Sequence, residues 1–167
     1  MTSRAVLLIL SLLVPVMASA QTTAASPIDG VWKITEVVTT GANASTVSNP
    51  QPSLLIFTRG HYSWINVNGT TPRTPSPAAK NPGNLTDAEK VARYNEWNPF
   101  TANSGTFDTK GSTLTRHLLV AKNVAVMNAT TPTVHEFKIE GNTLTLVQKS
   151  AAGQPASETR TKLMRVR

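Results

Sequence analysis

The chain has 167 residues, with 16 Lys plus Arg against 9 Asp plus Glu and a formal charge of +7. It has no cysteine, which excludes disulfides and a thiol nucleophile, so stability has to come from packing and hydrogen bonding. Its basic residues are spread out, with no run and no aromatic interleaving. The C-terminal group Arg160, Lys162, Arg165 and Arg167 splits between two faces of a strand, which argues against a nucleic-acid partner.

Residues 1–20 read as a secretory signal peptide. Arg4 precedes an apolar run from Ala5 to Val14, Pro15 breaks it, and Ala18-Ser19-Ala20 is a small-x-small cleavage site ahead of Gln21. That run is too short to span a bilayer, and no later run is longer. The expectation is an exported chain, periplasmic or secreted, that does not span a membrane. Without Arg4 its formal charge is +6. Residues 21–28 are small and polar and read as a flexible leader. Residues 29–167 are one domain's worth of chain, able to bury roughly 70% of its unfolded surface.

Strand signals begin at Gly30-Val31-Trp32 and run to Val38, rich in β-branched and aromatic residues. A long loop from Thr39 to Pro52 follows. Ser53–Thr58 and His61–Val67 flank Arg59-Gly60 and read as a hairpin. In the second run Tyr62, Trp64 and Asn66 share one face, and His61, Ser63, Ile65 and Val67 share the other. Residues 68–84 hold four prolines and two glycines and form no regular element. Thr86 with Glu89 three residues on is a capping box, so a helix starts there and stops at Asn98-Pro99. Its thin apolar stripe, Ala88, Val91 and Ala92 beside Asn95, places it on the surface or across one end of a sheet.

Strand signals return at Ser104–Thr109, Ser112–Val120, Thr133–Ile139 and Thr143–Gln148, with a looser stretch from Ala121 to Thr131 and a last strand from Glu158 to Arg167. Turns fall at Lys110-Gly111 and Glu140-Gly141-Asn142. About eight strands, mostly hairpin-joined, with one helix and no βαβ alternation predict an all-β antiparallel meander barrel. Trp32 needs a lid at the closed end of such a barrel, and the terminal strand offers one, Arg165 or Arg167.

Three features together resemble the lipocalin-like domain family, calycin-type barrels found in exported bacterial proteins. They are Gly30-Val31-Trp32 on the first strand, the arc from Leu85-Thr86-Asp87-Ala88-Glu89-Lys90 through Tyr94 to Ser104-Gly105-Thr106-Phe107, and Glu140-Gly141-Asn142-Thr143-Leu144-Thr145-Leu146 ahead of a basic terminal strand. The Pro-rich segment 70–83 departs from the pattern. So does Met164, where the family often carries a Trp. The resemblance implies a binder of small apolar molecules and brings no active site with it.

The candidate ligand-binding residues are Phe57, Tyr62, Trp64, Phe107, His117, His135 and Phe137, with Gly30, Trp32 and Arg165 closing the barrel. His117 and His135 are polar fixtures of a pocket if they point inward. No catalytic residue is assigned. There is no Gly-x-Ser-x-Gly turn and no phosphate-cradling loop, and no motif requires a cofactor. His61, His117 and His135 have no metal-ligand spacing, so no metal is assigned. The leading expectation is an exported carrier of a small, mostly apolar ligand. The rivals are a barrel isomerase or hydrolase using His117 or His135 with a carboxylate such as Asp108 or Glu136, and an envelope interaction module with a filled barrel.

Overall fold

The computed structural model describes residues 25–41 and 43–166. The expected signal peptide, residues 21–24 of the expected leader, and Arg167 lie outside them. The strands are β1 (Gly30–Gly41), β2 (Ser45–Val47), β3 (Ser53–Thr58), β4 (His61–Val67), β5 (Phe100–Lys110), β6 (Thr113–Ala121), β7 (Thr133–Glu140), β8 (Thr143–Lys149) and β9 (Ser157–Arg165). Helix α1 is Asp87–Trp97, and α2 is the short turn Val124–Met127. The sheet order is β2-β1-β3-β4-β5-β6-β7-β8-β9, with β1 also paired to β9. Eight strands therefore close an antiparallel meander barrel, and β2 is a flap on the edge of β1 that β3 leaves unpaired.

One end of the barrel is closed. The tight turns at Arg59-Gly60, Gly111-Ser112 and Gly141-Asn142 lie there, with the start of β1 and the end of β9. Trp32 pairs with Arg165 across the seam, and the guanidinium sits 4.1 Å above the indole. Gly30 makes this possible. Its φ is +146°, and a side chain there would overlap Arg165. Arg165 Nη1 donates to the Asp29 carbonyl at 2.8 Å, and Trp32 Nε1 donates to the Ile28 carbonyl at 2.9 Å. The expected leader thus joins the fold at its end, because Ile28 is fully buried as a plug under Trp32.

The core fills from that floor. Trp32, Leu55, Phe57, Leu114, Leu144, Leu146 and Leu163 are all but fully buried. Each lies on the inward parity of its strand, so the alternation along the sequence supplies the core directly. The outer wall carries solvent-exposed ion pairs, among them Lys162–Glu36 at 2.7 Å and Lys149–Glu136 at 3.1 Å. Pairs of this kind contribute about 0–1 kcal/mol each, so the interior holds the fold together.

Helix α1 starts where the capping box places it, with Thr86 accepting from the Glu89 N–H and Glu89 accepting from the Thr86 N–H. It buries no residue. Its half-covered positions are Glu89, Ala92 and Glu96; of the expected stripe Ala92 is covered, while Ala88, Val91 and Asn95 are exposed. The reason is its docking partner, which is the Pro-rich loop. Glu96 accepts from the Ser76 N–H at 2.9 Å and from its hydroxyl, and Glu89 accepts from the Lys80 N–H at 3.1 Å. Among the described residues no helix is long and apolar enough to cross a membrane.

Replacing Gly30 by Ala forces a side chain into left-handed backbone and into the space of Arg165. We expect a loss of about 1–3 kcal/mol, read as a lower urea midpoint at unchanged slope. An unchanged midpoint would show that the closed end does not depend on this contact.

Candidate functional site

Above the packed floor the interior changes character. Phe57 and Phe107 meet edge to face with ring centroids 5.3 Å apart, and Tyr62 lies over Phe57 at 6.3 Å. The next inward position on β6 is Arg116, only 9% exposed, in the middle of the barrel. Its guanidinium carbon is 4.4 Å from the Trp64 ring centroid and 5.1 Å from that of Tyr62. Trp64 also stacks on His135 at 6.2 Å and 20°. Arg116 Nη2 and His135 Nε2 are 2.9 Å apart, and Nη1 reaches Asn103 Oδ1 at 3.5 Å.

Arginine can only donate, so Nε2 of His135 accepts and the neutral ring carries its proton on Nδ1. Burial first, and then the Arg116 charge, pull His135 from 6.5 down to about 3. Burial lowers Arg116 to about 10, with Tyr62 acting in the opposite direction. Burial raises the Tyr62 phenol above its ordinary 10.0, partly offset by Arg116. At neutral pH the cluster is therefore a charged guanidinium beside a neutral imidazole and a neutral phenol.

Among the described residues that charge has no acidic partner. Every ion pair among the described residues involves other side chains. Arg116 Nε and His135 Nδ1 are both buried without a hydrogen-bond partner. Removing a guanidinium from water costs several kcal/mol. The two aromatic faces return about 2 kcal/mol each at best, so the cluster is a local cost that the core offsets.

Beside Arg116 is a cavity of about 120 Å³, bounded by Tyr62, Asn103, Leu118 and Thr133 and roofed by Val126 and Ala129. A larger groove of about 480 Å³ lies outside it between α1 and α2, with Tyr94, Phe100, Lys122 and Val124 on its walls. Asn103 and Val126 border both. Lys122 fixes one side of the groove by donating to the carbonyls of Trp97, Asn98 and Phe100, which also caps the negative end of α1.

The structure brings Tyr62, Trp64 and His135 together around Arg116. Phe57 and Phe107 belong to the packed floor, and Phe137 packs half-buried against the core. His117 is a correction. It stands on the outer wall, half-exposed, with Nε2 3.0 Å from Asp108 Oδ2. The inward parity of β6 is Leu114, Arg116 and Leu118, which sends Thr115 and His117 outward. The rival barrel enzyme would use His117 or His135 with a carboxylate; His117 and its neighbour Asp108 face solvent, and His135 points inside. Glu136 also faces out, bonded to Lys149. His61 is exposed near the closed end, beside the Arg59 carbonyl. Among the described residues no three His, Asp or Glu side chains gather as metal ligands.

Sequence reasoning missed Arg116, Asn103 and Val126. For Arg116 a signal was present: Leu114 and Leu118 lie two residues to either side, so a strand that turns its leucines inward carries Arg116 with them.

No family model matches the chain, and no curated protein matches it. Among solved structures it is similar to an uncharacterized protein from Bacteroides eggerthii DSM 20697, at 10% identity and a TM-score of 0.43, covering 83% of this chain and 98% of that one.

Keeping His135 neutral contributes stability that is complete above pH 6.5. It is lost as pH falls toward 3, because the unfolded chain then binds a proton that the folded chain refuses. The loss is on the order of a few kcal/mol. The measurement is urea unfolding of wild type and His135→Gln from pH 7 to pH 4. Wild type loses stability relative to the variant as the pH drops, whereas a constant gap would mean that the imidazole is not held neutral.

Proposed function

We propose that this chain is an exported barrel that binds a small, mostly apolar molecule, in the manner expected of the lipocalin-like domain family. One observation carries the reading: the barrel is packed at its closed half and leaves a cavity beside Tyr62 and Arg116 that adjoins the groove under α2. A pocket with apolar walls and a few convergent polar groups is the usual form of a small-ligand site. Tyr62, Leu118, Val126 and Ala129 supply the apolar surface, and Asn103 and Thr133 supply hydrogen-bonding groups. The signal peptide read in residues 1–20 supports the exported part of the proposal.

The binding test uses the neutral apolar dye Nile red and native mass spectrometry of protein purified from its own host. Val126 is 48% exposed and borders both spaces, so Val126→Trp blocks the passage between them at little cost to the fold. We expect that variant to lose at least tenfold in dye affinity at an unchanged melting temperature. His117→Gln and Asp108→Asn, on the outer wall, should leave dye uptake within twofold of wild type. Equal uptake by Val126→Trp would move binding away from this cavity.

A further inference from the structure

Arg116 raises a question that an apolar ligand leaves open. It is buried in the barrel, and among the described residues its charge faces no carboxylate and one of its N–H groups has no partner. It also forms part of the wall of the 120 Å³ cavity. We propose that Arg116 is the anion-binding residue of this site, and that the ligand is a small carboxylic acid whose carboxylate seats on the guanidinium while its apolar body lies toward Val126 and the groove. The inference rests on the reading of the barrel as a small-molecule binder and names the chemical class of the ligand.

The charge count selects a monoanion. Arg116 is the one cation on the cavity wall, since Tyr62, Asn103, Leu118 and Thr133 are neutral. The imidazole that bonds Nη2 is held neutral by burial, so it neither neutralises the guanidinium nor adds a second positive charge. A carboxylate matches one guanidinium in charge and in planar geometry. A phosphate dianion would leave a charge unmatched. The neighbours also pre-organise the receptor. Trp64 and Tyr62 hold the guanidinium carbon at 4.4 and 5.1 Å, and His135 and Asn103 orient its two Nη groups, each of which keeps a second N–H, while Nε has no hydrogen-bond partner. The space is large enough for several waters, hence for a short or single-ring acid. A neutral ligand of the same shape would leave the buried charge unanswered, and that difference is what the site can use to discriminate.

The experiment compares benzoate with benzamide, which differ in charge and hardly in size, by isothermal titration calorimetry on the chain from residue 21 onward. Wild type should bind benzoate at least tenfold more tightly than benzamide. Arg116→Met should bind the two within twofold of each other, at an unchanged or higher melting temperature because a buried unpaired charge has been removed. In the wild type the Arg116 Nε–H resonance should move on adding benzoate and stay in place on adding benzamide, a readout that does not depend on the variant folding. Equal binding of the two probes by wild type, with Nile red still taken up, overturns the carboxylate inference and leaves the binding reading standing. No binding of benzoate, benzamide or Nile red overturns both. Inorganic phosphate displacing benzoate at a tenfold lower concentration overturns the choice of a carboxylate.

Discussion

The barrel is held shut by one seam. β1 and β9 pair over nine residue positions, from Trp32–Arg165 to Gly41–Ser157, with a register shift at Ile34/Glu36. These strands lie at the two ends of the described chain, so the contact is as non-local as the topology allows. It is closed last in entropy terms, and its stability must exceed the loop-closure cost of everything between. At its lower end the Trp32 indole is enclosed by Ile28, the Arg165 guanidinium and the bare backbone of Gly30. Burying a Trp completely is among the largest single hydrophobic gains available, and its N–H is satisfied at no further expense by the Ile28 carbonyl. Every other inward residue stacks on this floor.

Two arginines lie closely over indoles of the barrel, at 4.1 Å for Arg165 on Trp32 and 4.4 Å for Arg116 on Trp64, while Arg73 stands farther off at 6.0 Å from Trp97 on α1. The geometry is shared and the circumstances differ. Arg165 lies at the rim, half-buried, and donates to the Asp29 carbonyl, so part of its charge stays with solvent and part with a backbone acceptor. Arg116 lies inside, where the neutral His135 imidazole and the Asn103 amide accept from its two Nη groups. A structural arginine is expected to look like the first. The second keeps a charge where the packing would favour a leucine, and an evolved fold tolerates such a local cost most readily where the group does something besides packing.

Much of the architecture was legible in the sequence because period-2 alternation and turn chemistry are local signals. Arg59-Gly60 and Gly141-Asn142 mark their hairpins, Thr86 and Glu89 mark the start of α1, and Gly30-Val31-Trp32 marks the entry to the barrel. What was not legible depends on contacts between distant segments. β2 is three residues in a polar loop, defined by pairing with β1 rather than by its own composition. α2 is a four-residue turn held by the Asn123 side chain on the N–H groups of Ala125 and Val126. On β6 the parity of Leu114 and Leu118 is inward, so His117, named as a pocket residue on the condition that it points inward, stands outside. The candidate site follows the same parity: the leucines that mark the inward face of β6 carry Arg116 to the centre of the aromatic ring.

Strand length then decides where such a site can be reached. β6 and β7 pair at only four positions, Thr113–Arg116 against Thr133–Glu136, and β1 and β3 at only three, Gly30–Trp32 against Leu55–Phe57. Both ladders thin toward the end away from Trp32, so the wall gapes there by construction. At the first gap β6 continues beyond Arg116 without β7 beside it, bulges at Leu119 against Ser104 and Gly105, and hands over to α2. Val126 of that short turn and Ala129 just after it form a roof rather than a hydrogen-bonded wall, and a roof held by a few side-chain contacts opens at far lower cost than a strand ladder. The residue that ends the β6–β7 ladder is Arg116 itself. The buried charge therefore sits at the level where the β6–β7 ladder ends and the barrel wall stops being continuous.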